Sequence, residues 1–452
     1  MPEFARHEKT EMQLQRLSDA LKTGRLQPVR RMVNSLPAGE IADLLESLPP
    51  AQRNLVWELV DPENDGEILV HVNDEVRATL IEGMDNQELV DATSDLDLDD
   101  LADILDDLPD QVIKQLLSVL DREDRERLER VLSYDEDTAG GLMDPDVVTV
   151  RPNVSLDVVQ RYLKIRGELP RPMGDLFVVN RDGRYMGRLS LVDVLCKAPE
   201  EIVSDLMDGA DQPLNVDISA AEVARAFEHK DWVSAPVVDS SGFLLGRITV
   251  DDVVDVIREE AEHNILSVAG LDEDDDMFAP VLASSKRRGY YLGVNLITAF
   301  VAGWFVALFD ATLEKAVALA VLMPVVASMG GIAGTQTLTL LIRGMAQGQI
   351  GPGNTRALLR QELAVGSLNG VFWAAVVALV ALVWFGQSSL ALVAGCAILF
   401  NLIAGATAGV IVPLVLRRMN IDPALAGGMV LTTVTDVVGF VSLLGLGTLV
   451  LL

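Results

Sequence analysis

The last apolar run of the chain carries one carboxylate, Asp436, within the stretch VLTTVTDVVGF (430–440). A charge at bilayer depth costs roughly 2.5–3.5 kcal/mol on insertion scales, so an acid in this position usually marks an ion path. Thr432 and Thr433 precede it at the spacing that shares a helix face, and Thr435 is adjacent. Because the apolar runs hold no basic residue in their interiors, a cation is the natural partner of Asp436. The alternative is a carboxyl that pairs with a neighbouring helix or stays protonated.

A second apolar run, MGGIAGTQTLTLLIRG (329–344), combines small residues with oxygen-bearing side chains. Gly330 and Gly334 form a face for close helix packing, and by themselves they favour a structural role. Gln336 and the neighbouring threonines add oxygen atoms that packing alone does not require. This run is therefore a second candidate for the wall of an ion path.

Two asparagines in the apolar part, Asn369 and Asn401, are either hydrogen-bond partners between helices or pore-lining residues, and their positions do not separate the two roles. Glu362, beside Arg360, fits a charge at a helix start better than a ligand. The predicted pore-lining set around Asp436 is Thr432, Thr433, Thr435, Gly330, Gly331, Gly334, Gln336 and Asn369.

Acidic residues outside the apolar part recur at helical spacing. They are Asp99 and Asp103 in the first third of the chain, and Asp252, Asp255, Glu259 and Glu260 further on. Like charges three or four residues apart weaken a helix by a few tenths of a kcal/mol, whereas a solvated helix face normally mixes signs. We therefore predict divalent cations bound between the two acidic segments; a simple solvated acidic face is the alternative for any one residue.

Five apolar stretches are long enough for the roughly 20 residues that a spanning helix needs. They lie at about 287–309, 315–342, 360–385, 388–416 and 424–451. If the five spans alternate in direction, eight basic residues share one side of the membrane and only Lys315 lies on the other. The eight are Lys286, Arg287, Arg288, Arg343, Arg356, Arg360, Arg417 and Arg418. The positive-inside rule predicts that this side is cytosolic, with the N-terminal part, and that the C-terminus is outside.

The chain before the spans contains two kinds of internal repeat. IADLLESLP (41–49) returns as LADILDDLP (101–109), which indicates a helix-pair repeat and a small superhelical domain. LFVVNRDGRYMGRLSLVDVL (176–195) is matched 59 residues later by APVVDSSGFLLGRITVDDVV (235–254). Each copy runs from an apolar strand through a Gly-containing turn to a second strand and an acidic helix start. The second repeat resembles a tandem pair of CBS modules.

These patterns predict a multidomain membrane protein with a superhelical α-helical N-terminal domain, tandem α/β CBS domains, a long connecting helix and a five-helix transmembrane domain. The predicted boundaries are 1–135 for the acidic helical domain, 136–199 and 200–257 for the CBS domains, 253–278 for the connecting helix and 284–452 for the transmembrane domain.

Composition excludes several functions. The net charge is −31, and residues 281–452 carry five acidic and nine basic side chains, so the negative charge belongs to the part before the spans. Such a surface argues against nucleic acid, whose binding needs phosphate neutralisation. The two cysteines lie far apart and predict no disulfide framework, and the polar N-terminus has no signal-peptide core. Without a nucleophile–base pair, phosphate loop or zinc motif, we predict that the protein is not an enzyme.

The order of domains resembles the MgtE family of magnesium channels or transporters, across essentially the whole chain. Supporting stretches are DEDTAGGLMDP (135–145), ITVDDVVDVI (248–257), the glycine-rich second span, and DPALAGGMVLTTVTDVVGF (422–440). The resemblance implies a homodimer in the bacterial inner membrane that imports Mg²⁺ through a pore lined by the second and fifth spans. It places the family's pore aspartate at Asp436, where two copies would hold a largely hydrated ion.

The resemblance also implies a gate. When cytosolic Mg²⁺ is high, ions bridge the N-terminal domain, the CBS pair and the connecting helix, and the pore closes; when it falls, acidic repulsion opens the pore. The matching positions are Asp252, Asp255, Glu260, Asp231, and, across an alignment gap, Asp99 and Asp103. Some CBS pairs bind adenine nucleotides, and no decisive residue for that is present here.

Four residues depart from the family's pattern. Ile332 and Thr335 stand in the second span where Asn is usual, and His263 and Asn264 stand in the connecting helix where acids are frequent. The first two bear on transport rate and ion choice, the others on the Mg²⁺ threshold of the gate. A transporter for another divalent cation such as Co²⁺ and a non-transporting CBS-based membrane sensor are the alternatives. Whether transport is passive or coupled does not follow from the sequence.

Overall fold

The computed structural model describes residues 26–451 except 95, 106, 168, 171, 210, 211, 272–275 and 352. The described residues fall into two compact units. One contains the helices and sheets that precede residue 262 together with Asp276–Ala279, and the other contains the five long helices together with Glu262–Leu271.

Short helices make up the chain between Leu26 and Val131. They are α1 (Leu26–Val33), α2 (Ala38–Glu46), α3 (Pro50–Trp57), α4 (Asp65–His71), α5 (Asp74–Gly83), α6 (Asn86–Thr93), α7 (Leu98–Leu105), α8 (Asp110–Val119) and α9 (Arg122–Val131). The repeated motifs form α2 and α7, and each is followed by a Pro-initiated turn and a second helix. Leucines at helical spacing, such as Leu45 and Leu105, are buried in a common core. The predicted helix-pair repeat is confirmed.

Each CBS module contains a three-stranded sheet. The elements are β1 (Thr149–Val150), α10 (Leu156–Arg166), β2 (Asp175–Val179), β3 (Tyr185–Ser190), α11 (Leu191–Cys196), α12 (Val203–Leu206), β4 (Leu214–Asn215), α13 (Ala220–Lys230), β5 (Ser234–Val238), β6 (Leu244–Thr249) and α14 (Val250–Leu266). In both modules the middle strand pairs parallel to the first and antiparallel to the third. The repeated Gly183 and Gly242 take φ values of 86° and 83°, a left-handed turn conformation that favours glycine.

The connecting helix ends earlier than the sequence predicts. α14 stops at Leu266 and continues as a single 3-10 turn, Ser267–Ala269, because Gly270 adopts a φ of 72° that breaks the helical ladder. Residues 272–275 of the predicted segment 253–278 lie outside the described part. After them, Asp276 accepts a hydrogen bond at 2.8 Å from Arg53 of α3, and both side chains are buried.

Five helices in the described part are long and apolar enough to cross a membrane. The first to fifth spans are α15 (Val281–Ala307), α17 (Val317–Ala346), α18 (Thr355–Phe385), α19 (Ser388–Arg418) and α20 (Pro423–Leu451), and a short helix α16 (Asp310–Lys315) separates the first two. Together with the helical domain and the CBS pair, they confirm the predicted fold class.

The fourth span is the centre of the membrane unit, where it packs against the second, third and fifth spans. Small residues allow this close packing. A Cβ added at Gly405 would lie 2.6 Å from the carbonyl oxygen of Gly330, and one at Gly409 would lie 2.8 Å from that of Gly334. Only glycine permits such distances between helix backbones. The second and fifth spans are thereby held side by side on the same central helix.

Candidate pore and cation-binding sites

An open groove of about 890 Å³ lies between the second and fifth spans. Its lining residues are Ala327, Ser328, Gly331, Ile332, Thr335, Gln336, Thr339 and Leu340 of the second span and Thr432 and Asp436 of the fifth. The second-span residues recur at i, i+3, i+4, i+7 and i+8, which is one face of a helix. The groove therefore gathers a carboxylate, four hydroxyls and an amide on an otherwise apolar surface.

Four predicted pore residues lie in this groove together: Asp436, Thr432, Gly331 and Gln336. Asp436 and Thr432 are one turn apart on the fifth span, so their oxygens share a face. Sequence reasoning missed Ser328, although its position three residues before Gly331 would have shown it. Ile332 and Thr335, which depart from the family's pattern, also line the groove. They therefore lie on the surface that a passing ion would contact.

Two other predicted glycines of the second span, Gly330 and Gly334, do not line the groove. Gly330 packs against the amide of Asn401, and a Cβ at Gly334 would lie 2.8 Å from Leu431 Cδ1. Both are buried, which favours the helix-packing role that this glycine pair suggests by itself. Thr337 is also turned away from the groove, and its hydroxyl donates to Glu362 Oε2 at 2.9 Å. Glu362 is buried and lies about two turns into the third span, so it is not the helix-start charge that the sequence predicts.

The remaining predicted pore residues are not among those that line the groove in the described part of the chain. Thr435 is fully buried, and its hydroxyl donates to the carbonyl oxygen of Leu431 at 3.1 Å. Thr433 donates to the carbonyl oxygen of Met429 at 2.8 Å. Asn369 is exposed on the third span. These three side chains are therefore not part of the described lining around Asp436.

A cluster of carboxylates forms where three segments meet. They are helix α7, the loop that contains Asp144, and the start of α14. Burial, and after it the carboxylates of Asp144 and Asp252, raise the pKa of Asp99 to about 9. Burial and neighbouring acids also raise the pKa of Asp100 and of Asp103 to about 7. Such shifts mean that the charged forms are disfavoured: without a bound cation, Asp99 is protonated at neutral pH and Asp100 and Asp103 are about half protonated.

Asp252 and Asp144 complete this cluster from the CBS side. Burial raises the pKa of Asp252 to about 6, although the amide and hydroxyl of Thr249 donate to its Oδ2 at 3.0 and 2.8 Å. Asp144 forms a buried ion pair with Arg247 at 3.0 Å. Asp144 was not predicted as a site residue, because no local pattern links it to Asp99.

The other predicted regulatory residues lie elsewhere in the same unit. Asp231 takes a left-handed φ of 52° at the end of α13, and Asp255 pairs with Arg258 at 3.4 Å. Glu259 and Glu260 lie further along α14. The predicted acidic face of α14 therefore contributes one residue, Asp252, to the cluster around Asp99.

The cluster contains the type of ligand that a cation site needs, but its carboxylates do not surround a common point at coordination distance. Among the described residues, no three His, Cys, Asp or Glu side chains are arranged to hold a metal ion. However, Asp99 Oδ1 is buried and has no hydrogen-bond partner in the described part of the chain. Carboxylate oxygens are the ligands that Mg²⁺ prefers, so Asp99, Asp103 and Asp252 fit an oxygen-binding divalent cation.

The raised pKa values predict that this unit loses stability with rising pH. A carboxyl whose folded-state pKa exceeds its unfolded value contributes stability below the unfolded value, near pH 4, and that contribution is lost as the pH passes through the folded one. For this cluster the loss begins near pH 4 and is complete between about pH 6 for Asp252 and about pH 9 for Asp99. We expect the thermal midpoint of the detergent-solubilised chain to fall over this range in chelator and to fall less with Mg²⁺. A midpoint that stays level or rises in chelator contradicts the repulsion described here.

The end of the connecting segment contacts the start of the fifth span. His263 Nε2 lies 3.1 Å from Asp422 Oδ2, and the same carboxylate accepts a hydrogen bond from the Ala424 amide at 2.9 Å through Oδ1. Asp422 thus caps the helix that carries Asp436. The turn Ser267–Ala269 also packs on this span. Two described contacts therefore connect the segment that follows the CBS pair to a wall of the groove.

Comparison with known proteins gives matches over most of the chain. A family model of divalent cation transporters, MgtE, matches residues 323–446, the MgtE intracellular N domain matches 36–137, and the CBS domain matches 139–199 and 203–259. The magnesium transporter MgtE of Thermus thermophilus is 30% identical over 441 residues, 96% of this chain and 98% of the relative. That of Bacillus subtilis is 26% identical over 428 residues, 95% of each chain.

A solved structure also resembles part of the chain. It is the cytosolic domain of the Mg²⁺ channel MgtE in complex with ATP, which is 32% identical, with a TM-score of 0.48, over 53% of this chain and 98% of that one. The relatives are named as transporters, and five apolar helices make this chain a multi-pass membrane protein. By its identity to full-length relatives and its matching domains, the chain belongs to the MgtE family of magnesium transporters.

Proposed function

We propose that the protein imports Mg²⁺ through a pore at the interface of a homodimer and that cytosolic Mg²⁺ closes this pore. The observation that carries the proposal is the groove, in which Asp436 lies with Thr432 and the oxygen-bearing face of the second span. Mg²⁺ keeps several waters and demands octahedral oxygen geometry, so carboxylate and hydroxyl groups suit its hydrated form.

A second copy supplies the other wall of the pore. The groove is open on one side, and residues around it such as Ile332 and Leu340 are exposed in the single chain. A two-fold axis along this face brings two Asp436 carboxylates towards one ion, and closed two-fold dimers are the most frequent symmetric assembly. The two negative charges then match the charge of one divalent cation.

The acidic cluster is the sensor in this proposal. Cations that bind between Asp99, Asp103 and Asp252 replace the repulsion of their carboxylates by attraction and favour the packed arrangement. Asp252 and His263 both lie on α14, and His263 and the turn Ser267–Ala269 contact the fifth span, which lines the groove. Asp255, Glu259, Glu260 and Asp231 are proposed as further regulatory ligands. Adenine nucleotide binding at the CBS pair stays a prediction.

The orientation follows from the distribution of basic residues. Eight of nine basic side chains of the membrane part lie at one end of the alternating spans, which the positive-inside rule assigns to the cytosol. We therefore place the helical domain and the CBS pair in the cytosol, the C-terminus outside, and the chain in the inner membrane of a bacterial cell.

Another divalent cation is the second candidate cargo, because Ile332 lines the groove where the family pattern has Asn. An apolar side chain removes a hydrogen-bond partner for ion-bound water and weakens the preference for a fully hydrated ion. Competition between Mg²⁺ and Co²⁺, Ni²⁺, Mn²⁺ or Ca²⁺ in a flux assay decides between these cargoes. A sensor without transport would give no flux of any of them.

The deciding experiment is Mg²⁺ flux into vesicles that contain the purified chain, measured against the Mg²⁺ concentration on the cytosolic side. We expect flux at low cytosolic Mg²⁺ and a decline as that concentration rises, since the same ion passes the groove and binds the sensor. Empty vesicles and vesicles with inverted orientation serve as controls. Flux that does not depend on cytosolic Mg²⁺ contradicts the gate, and absence of flux contradicts transport.

A further inference from the structure

Asn401 lies within the fourth span and is fully buried. Its Nδ2 donates a hydrogen bond to the backbone carbonyl oxygen of Val326 in the second span at 2.7 Å. A bond to a backbone atom restrains the rotation of the whole helix about its axis, which a contact between two flexible side chains does not. Asn401 therefore connects the central helix to one wall of the groove.

Two glycines bring both walls of the groove against this one side chain. A Cβ at Gly330 of the second span would lie 2.1 Å from Asn401 Nδ2, and one at Gly439 of the fifth span would lie 2.8 Å from it. Neither position has room for a side chain, so both helix backbones contact the amide directly. Asn401 is thus a spacer between the second and fifth spans.

These contacts lie immediately behind the groove. Ala327 and Gly331, which line the groove, directly follow Val326 and Gly330 in the chain. Gly439 follows Asp436 by three residues, less than one helical turn. A small movement of Asn401 is therefore transmitted to the walls on both sides of the Asp436 carboxylate.

Stability alone does not account for an asparagine at this place. Its Oδ1 is buried and has no hydrogen-bond partner in the described part of the chain, and an unsatisfied buried acceptor is unfavourable. An apolar side chain of similar volume would avoid this cost. Such a replacement would, however, lose the hydrogen bond from Asn401 Nδ2 to the carbonyl oxygen of Val326.

We propose that Asn401 is a positioning residue for ion passage, which sets the separation and rotation of the second and fifth spans around Asp436. This inference rests on the proposed function and adds a residue that touches neither the ion nor the groove. Mg²⁺ is sensitive to ligand placement because its coordination is close to octahedral. Residues that orient a metal-binding group typically change affinity or activity by about 10–100-fold when replaced.

The test replaces Asn401 with Leu, which keeps the branched shape and removes the donor, and Asn295→Leu on the exposed face of the first span is the matched control. For Asn401→Leu we expect flux to fall about tenfold or more, the half-saturating Mg²⁺ concentration to rise, and block by cobalt(III) hexaammine, a rigid analogue of hydrated Mg²⁺, to weaken. Asn295→Leu should match the wild type in all three. Wild-type values for Asn401→Leu overturn the inference.

A second comparison does not depend on the folding of that variant. Gly439→Ala adds a methyl group against the Asn401 amide and should reduce flux, whereas Asn401→Ala/Gly439→Ala gives the methyl group the vacated space. We expect the double variant to conduct better than Gly439→Ala alone. If the flux losses of Asn401→Ala and Gly439→Ala multiply in the double variant, the inference is overturned. The proposed function still stands in that case, provided that the wild-type protein conducts Mg²⁺. If the wild-type protein gives no flux, both the inference and the proposed function are overturned.

Discussion

Asp436→Asn is expected to reduce Mg²⁺ flux into reconstituted vesicles by roughly a hundredfold or more. Asparagine keeps the shape of the side chain and one carbonyl oxygen, so the groove stays the same size while its charge is lost. Removal of one partner from a desolvated charge pair costs about 2–5 kcal/mol, and every 1.4 kcal/mol is a factor of ten. In a homodimer the change removes two such charges from one ion path.

Asp310→Asn is the matched control for this prediction. Asp310 is exposed in the short helix α16 between the first two spans, and the substitution removes the same charge from the membrane unit away from the groove. Its flux should equal that of the wild type. Undiminished flux through a folded, dimeric Asp436→Asn protein would falsify the role of this carboxylate.

Helical periodicity predicted much of the groove, because the face of a straight helix depends only on residue spacing. Thr432 and Gln336 lie where that spacing places them. Thr435 does not, since each residue turns by about 100° and the neighbour of Asp436 points to a different side. Gly330 and Gly334 also recur at helical spacing, but such a row of glycines suits a pore wall and a helix-packing face equally well. The position of the fourth span, which the sequence does not give, distinguishes the two.

The cytosolic cluster was less accessible to sequence reasoning, because it joins segments that are distant in the chain. The acidic spacing identified Asp99 and Asp252 separately, since each lies at a helix start. Asp144 lies in a loop and is 103 residues from its partner Arg247, so no local pattern indicated it. The end of α14 was also placed too late, because the sequence reasoning took the acidic run after Gly270 as the stop signal, whereas the helix ends at Leu266, before the left-handed Gly270.

Asp99→Asn/Asp252→Asn is expected to flatten the response of the transporter to cytosolic Mg²⁺. Without Mg²⁺ the double variant has less repulsion in the packed arrangement, and with Mg²⁺ it has fewer charged ligands. Both effects reduce the difference between the two conditions. An ion that binds only one arrangement stabilises it by about 2.7 kcal/mol at a hundred times its dissociation constant. Most of that difference should disappear, both in the thermal midpoint and in the ratio of flux at low and high Mg²⁺.

Asp182→Asn/Asp217→Asn makes the same change of charge at two exposed CBS positions and separates a local effect from a general one. If net negative charge alone governed the gate, this control would flatten the response as much as the cluster variant does. If ions bind between α7 and α14, the control keeps the wild-type response, because exposed charges are screened by salt over about 10 Å while buried ones are not. Equal behaviour of the two double variants would remove the cluster from the mechanism and leave the pore groove as the part of the proposal that still stands.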